Sequence, residues 1–311
     1  MKRCECLVVG DINPDITMYT RGNMPKAGIE ILADGMALEL GGSSCLTAVS
    51  LHALGIRTAL CARVGEDFYG QVAVKLLAEM GLTDEHMVRD AATPTGVTVS
   101  VTSPSDRAMV SYLGTTARLC ADDVPGELLG QVRHLHVGGF YLLSALRPAL
   151  PGLFRRARES GATVSLDTGW DDSGSWDGGI RSALEYVDFF FPNESEAAAL
   201  TGHEDPERAA RALARLGPTV VVKCGKDGAV LASAGGVLHS SGHMVEDAHN
   251  LTGAGDSFNA GFLYGLLRGR SPADCLALGN ANAAWRIARP RGARSCQTSE
   301  LIERIAREGF I

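Results

Sequence analysis

Short apolar runs alternate along the chain with longer segments of helical period. The runs are CLVVG (6–10), TALCARVG (58–65), HLHVGG (134–139), TVSLD (163–167), VDFFFPN (187–193) and TVVVKCG (219–225). Each has the length and near-continuous apolarity of a strand buried on both faces. Between them, 44–54, 67–80, 146–160 and 206–216 repeat apolar residues at the spacing of one helix face. Strand and helix in alternation predict an α/β fold, a doubly wound and mostly parallel sheet flanked by helices.

Two segments break that rhythm. GVTVSVTSPSDRAMVSYLG (96–114) alternates with period two on both sides of a Pro-Ser-Asp turn, the pattern of a hairpin, and 12–40 holds extended pieces between glycines and prolines. Together they predict a small antiparallel β lid beside the main sheet, formed by segments 12–40 and 96–114 of a single domain spanning 1–311. A flap over one edge of a site is its natural use.

Composition narrows the function. With 45% hydrophobic and 21% charged residues the chain buries a sizeable core and is not disordered. A net charge of −7 without a basic stripe excludes a nucleic-acid partner. No apolar run approaches the ~18 residues of a membrane span and no signal peptide is visible, so we expect a cytoplasmic protein without a membrane partner. The eight cysteines are scattered, with no CxxC pair, and read as reduced structural thiols.

In open α/β sheets the ligand lies at the carboxyl ends of the strands, which here carry Asp11, Asn13, Asp15, Gly138, Asp167, Asn193 and Gly225. The stretch NLTGAGDSFNAGFLYGLLRG (250–269) adds a glycine-rich helix start. Gly253 and Gly255 let backbone N–H groups converge, and the helix beginning near Ala254 or Gly255 aims its positive dipole end at the same point. That place suits an anion. Asp256 within it fits a base beside a phosphoryl acceptor, although an ordinary turn with an acidic first helical turn explains the same residues. In FPNESEAAAL, Asn193 and Glu196 fit a helix N-cap with its N3 partner, or a carboxylate that holds Mg²⁺ through water. Asp11, Asn13 and Asp15 can bind the hydroxyls of a polyol or form Asx turns around Pro14. LGGSSCLTAVSLHALG (40–55) turns through Gly41 and Gly42 into a helix that Ser43 or Ser44 can cap.

Taken in order, these elements resemble the ribokinase-like (PfkB) carbohydrate kinase family over nearly the whole chain. NLTGAGDSFNAGF is similar to its C-terminal signature, and GGSSCLTAVSLHALG through VGEDFYG to its N-terminal one. PNESE and VVKCGKDGAVL fall where the family has its Asn-x-x-Glu and Gly-x-x-Gly elements. The resemblance implies Asp256 as catalytic base, with Gly253, Ala254 and Gly255 as an anion hole. It implies Asn193 and Glu196 in the Mg²⁺–phosphate network. Lys223, Gly225, Lys226, Gly228 and Asn282 would attend ATP, and Asp15, Asn13, Gly41 and Gly42 the acceptor. It also implies a homodimer formed through the lid. Leu46 stands where the signature usually has Asn, and no lysine follows Gly42. Asn250-Leu251 replaces the Asp-Thr that often precedes TGAGD beside the monovalent-cation site of some members.

The function that follows is an ATP-dependent kinase acting on a hydroxymethyl group of a neutral sugar or sugar-like molecule. A nucleoside kinase and a non-catalytic sugar-binding module are the alternatives. A dinucleotide oxidoreductase fits worse, because the first strand ends in VGDINPD and not in a GxGxxG turn.

Overall fold

The computed structural model describes residues 4–22, 24–103, 106–245, 251–289 and 297–309. Its strands are β1 (Cys6–Val9), β2 (Asn13–Tyr19), β3 (Gly35–Gly41), β4 (Thr58–Gly65), β5 (Met87–Asp90), β6 (Val97–Thr102), β7 (Arg107–Tyr112), β8 (His134–Val137), β9 (Thr163–Leu166), β10 (Phe189–Phe190), β11 (Thr219–Lys223), β12 (Ala229–Ser233) and β13 (Gly236–Ser240). The helices are α1 (Ser43–Ala53), α2 (Phe68–Glu79), α3 (Gly126–Leu129), α4 (Leu150–Glu159), α5 (Ile180–Leu184), α6 (Glu194–Thr201), α7 (Pro206–Ala214), α8 (Ala254–Leu267), α9 (Pro272–Ala288) and α10 (Ser299–Glu308).

All six apolar runs become strands of one sheet, ordered β13-β12-β11-β10-β9-β8-β1-β4-β5. Pairing is parallel from β11 through β5 and antiparallel only where β12 and β13 extend one edge. The sheet is covered on both faces, and β1 shows why its sequence is apolar throughout. Leu7 and Val9 point into a core shared with α4, while Cys6 and Val8 point into the opposite core shared with α1 and α8. Even the two histidines of β8 belong to the interior. His134 and His136 both bond Ser165 Oγ at 2.7 Å, and burial pushes them down to about 3 and about 4, so they are neutral packing residues.

The second sheet runs β3-β2-β6-β7. Its β6–β7 pair is the antiparallel hairpin that 96–114 predicts and β2–β3 is antiparallel as well, but a parallel β2–β6 pairing joins them, so the sheet is mixed where an antiparallel one was expected. Seven cysteines, Cys4, Cys6, Cys45, Cys61, Cys120, Cys224 and Cys275, are free thiols; Cys296 lies outside the described residues, as do Asn250 and the tip of the hairpin turn. Among the described residues no helix is long and apolar enough to cross a membrane.

Candidate active site

Two helix N-termini meet at the carboxyl end of the main sheet. The N-cap of α1 is Gly42, which has no side chain to satisfy the first N–H groups. Asp11, just past β1, does this from a distance: its carboxylate accepts from the N–H of Ser43 at 2.9 Å and of Ser44 at 2.8 Å. So Asp11 is a buried capping residue. The hydroxyl of Ser43 is then free to donate to Asp256 Oδ1 at 2.6 Å, and Thr47 Oγ1 reaches the backbone carbonyl of Asp256 at 3.4 Å, which staples α1 to the start of α8.

Asp256 is the third residue of α8. Gly253 caps that helix at φ 78°, the left-handed backbone that favours glycine, and a Cβ there would lie 3.1 Å from Leu46 Cδ1. Asp256 keeps part of its surface open to the cleft, yet protein surrounds it. Burial, and after it the charge of Asp167, pushes its carboxyl up to about 7. A carboxyl so placed takes up or releases a proton near neutral pH.

Behind it lies a polar network from the ends of β9 and β11. Lys223 Nζ donates to Asp167 Oδ2 at 2.6 Å, and Asn259 Nδ2 donates to the same oxygen at 2.6 Å. Burial opposes ionisation of Asp167, but the Lys223 ammonium overcomes it and holds the carboxyl below its usual range. Asn193 and Glu196 form a complete capping box at the start of α6, with Glu196 N–H donating to Asn193 Oδ1 at 2.9 Å and Asn193 N–H to Glu196 Oε2 at 2.7 Å. Capping does not exhaust Glu196, which is buried and also accepts from Thr168 Oγ1 at 2.5 Å. Burial and the neighbouring Asp167 charge push it up to about 7.

On the far side of Gly255 a cavity of about 470 Å³ opens, lined by Lys223, Gly225, Lys226, Gly228, Ala254, Gly255 and Phe258, with Asn280, Ala283, Ala284 and Ile287 of α9. Its wall is apolar apart from a few polar groups, which suits a planar base with a charged tail. Asn282 is a correction. It does not face this cavity: its Nδ2 donates to Ser50 Oγ at 2.9 Å and to the Ser257 carbonyl at 2.7 Å, tying α9 to α1 and α8. Asn280, two residues earlier, lines the cavity and bonds the backbone carbonyls of Ser240 and Ser241.

On the other side of Asp256 stand the residues expected at the acceptor. Asn13 Nδ2 donates to Asp15 Oδ1 at 2.7 Å, and burial pushes Asp15 up to about 6. Gly41 pairs with Asn13 in register, so closely packed that a Cβ on Gly41 would stand 2.1 Å from Asp15 Oδ1. The chain therefore brings together every expected site residue except Asn282. Ser43, Asp167, Thr168 and Asn259 join them: Ser43 was expected only as a helix cap, which is Gly42 instead, Asp167 only as a polar residue closing an apolar strand, and Thr168 and Asn259 not at all.

A family model described as pfkB family carbohydrate kinase matches residues 4–299. This chain belongs to the pfkB family. It is 27% identical over 275 residues to a 2-dehydro-3-deoxygluconokinase of Bacillus subtilis, covering 85% of each chain. It is 30% identical over 253 residues to a nucleoside kinase of Methanothermobacter thermautotrophicus, covering 79% of this chain and 77% of that one. A putative Ribokinase II from E. coli, solved in complex with ATP and Mg²⁺, superposes with a TM-score of 0.81 at 22% identity over 98% of this chain and 99% of that one, a likeness of fold. The pfkB chain described here is thus a sugar or nucleoside kinase, and its fold is shared with that structure.

Proposed function

We propose that this chain transfers the γ-phosphoryl group of ATP to a hydroxymethyl group of a sugar or sugar-like acceptor, with Asp256 as general base. The observation that carries the reading is the position of Asp256: a carboxyl poised near neutrality, next to Gly255 of the nucleotide-sized cavity, and bonded to Ser43 at the helix start that follows Gly41 and Gly42. Ser43 holds Oδ1, which leaves Oδ2 to take the proton as the acceptor oxygen attacks phosphorus. The N–H of Ala254 donates to the Leu251 carbonyl at 3.3 Å, while those of Gly255 and Asp256 have no partner within the helix and face the charge that develops on the transferring group. Lys226, Gly225 and Gly228 attend the nucleotide, while Lys223 is engaged by Asp167 and positions the network behind the base. Asn13, Asp15, Gly41 and Gly42 hold the acceptor. A nucleoside acceptor is the second reading, favoured by Leu46, an apolar side chain next to Gly253 that offers no hydroxyl partner.

Mg²⁺ fits this site as a phosphate-borne ion. Among the described residues no group of three or more ligating side chains gathers. Glu196 supplies a single carboxylate near the phosphates, which is what an ion that keeps its waters requires. The ion would neutralise charge on the polyphosphate. We further propose that the second sheet closes over the acceptor as a lid and that its outer apolar face seats a second copy of the chain.

The decisive experiment is ATP-dependent phosphorylation over a panel of pentoses, hexoses and nucleosides, repeated with Asp256→Asn. Asparagine keeps the shape and the hydrogen bond but takes no proton, so transfer to the best acceptor should fall roughly 10²–10⁴-fold while nucleotide binding survives. Transfer at near wild-type rate would remove Asp256 from the mechanism.

A further inference from the structure

The second sheet has one apolar face and one that is polar apart from Met109, and register assigns each residue to one of them. Asp15 pairs with Thr98, Thr17 with Ser100 and Tyr19 with Thr102, while Thr98, Ser100 and Thr102 pair in turn with Ser111, Met109 and Arg107. Directly paired residues share a face, as do residues two apart along a strand. Arg107 therefore stands on the same face as Asp15, at the opposite end of the sheet. Along β2, Asp15 and the Tyr19 row are about 13 Å apart by strand rise.

Between those ends the polar groups satisfy one another. Ser100 Oγ donates to Thr17 Oγ1 at 2.9 Å, with both side chains buried, and the Thr98 and Ser111 hydroxyls are 3.0 Å apart. Arg107 differs. It is half-buried, and its Nε is buried with no hydrogen-bond partner among the described residues. An unpaired guanidinium nitrogen removed from water is costly, and the planar fork matches a carboxylate or a phosphate. The other end of the cleft gathers carboxyls, with Asp11 within reach of both Asp15 and Asp256, so an anion on the acceptor is disfavoured there and attracted here. The Arg107 charge already reaches Asp15, whose carboxyl it draws down against the effect of burial.

We infer that Arg107 is a specificity-determining residue that binds an anionic group, carboxylate or phosphate, on the acceptor at the end remote from the reacting hydroxyl. The inference rests on the kinase reading above and narrows it from neutral sugars to acidic or phosphorylated ones.

Matched acceptor pairs test it, with ribose against ribose 1-phosphate for the phosphate and glucose against gluconate for the carboxylate. Wild type should favour one anionic member over its neutral partner by roughly 10–100-fold in kcat/KM, the range of a charge-assisted contact. Arg107→Gln should equalise that pair through a raised KM, and Arg107→Lys should keep part of the preference. A wild-type preference for the neutral members, or an Arg107→Gln variant that slows both members alike, would show that Arg107 only balances the charge of Asp15. Failure of the kinase reading looks different, because then no acceptor is phosphorylated at all. Thermal shift decides in that case: stabilisation of wild type but not of Arg107→Gln by an anionic member sustains the assignment, and no stabilisation by either overturns it.

Discussion

At the residue scale the site is organised around groups whose ionisation conflicts with their surroundings. Asp256 and Glu196 both stand near Asp167, which Lys223 keeps ionised, and both are pushed up to about 7 by burial and that neighbouring charge. The proposed base should therefore give kcat/KM a rising limb centred near pH 7, as the free enzyme's carboxyl loses its proton. Its stability effect has the opposite direction. An acid whose folded pKa is raised binds more protons when folded, so stability falls as pH rises from the unfolded value, 3.8, through about 7. Asp256→Asn removes that loss. The variant should match wild type in Tm near pH 4 and exceed it at pH 8, the usual opposition of activity and stability at a functional site. Equal pH dependence of Tm in the two proteins would mean that Asp256 is not perturbed in the free enzyme.

At the element scale, legibility followed burial. Strands β1, β8, β9 and β11 were readable because sheets covered on both faces leave continuous apolar runs. β12 and β13 were not, since AVLAS and GVLHS are short, small-residue edge segments. The order of the signatures exposed Asp256, Asn193 and Glu196. The contacts that make a site of them, Ser43 with Asp256 across 213 residues and Lys223 with Asp167 across 56, have no local trace. Asn282 failed for a related reason: α9 is buried on more than one side, so its apolar pattern does not say which of Asn280 and Asn282 meets the cavity. Gly41 tests how closely β2 and β3 must approach. Gly41→Ala puts a Cβ where Asp15 Oδ1 now stands, so the carboxylate must swing away from Asn13. Misplacing a positioning group by about 1 Å can cost ~10²-fold. The expected result is a raised KM for the acceptor with nucleotide affinity intact, measured by initial rates and by nucleotide titration; an unchanged acceptor KM would take Asp15 out of acceptor binding.

At the scale of the whole molecule, the second sheet faces two environments. One side carries Asp15 and the hydroxyl rows; the other carries Met36, Leu38, Ile16, Met18, Val99, Val101, Val110 and Tyr112 by the same register. Single exposed apolar residues need no explanation, but here Met36 at 64%, Val110 at 69% and Tyr112 at 56% exposure lie on one face of one small sheet. β3 and β7 are moreover its edge strands, with unpaired backbone groups. A second copy of the chain related by a two-fold axis would cover the apolar face and at least one edge with the same residues from both partners. It would also hold each lid from outside while acceptor binds inside. Sedimentation equilibrium should accordingly find a dimer at micromolar concentration. Met36→Glu combined with Val110→Glu should yield a monomer whose acceptor KM is raised and whose nucleotide affinity is unchanged, because the cavity beside Gly255 lies on the main sheet and not on the lid. A wild-type monomer at that concentration would leave the apolar face without a homodimeric role, and a charged double variant that stays dimeric would move the interface elsewhere.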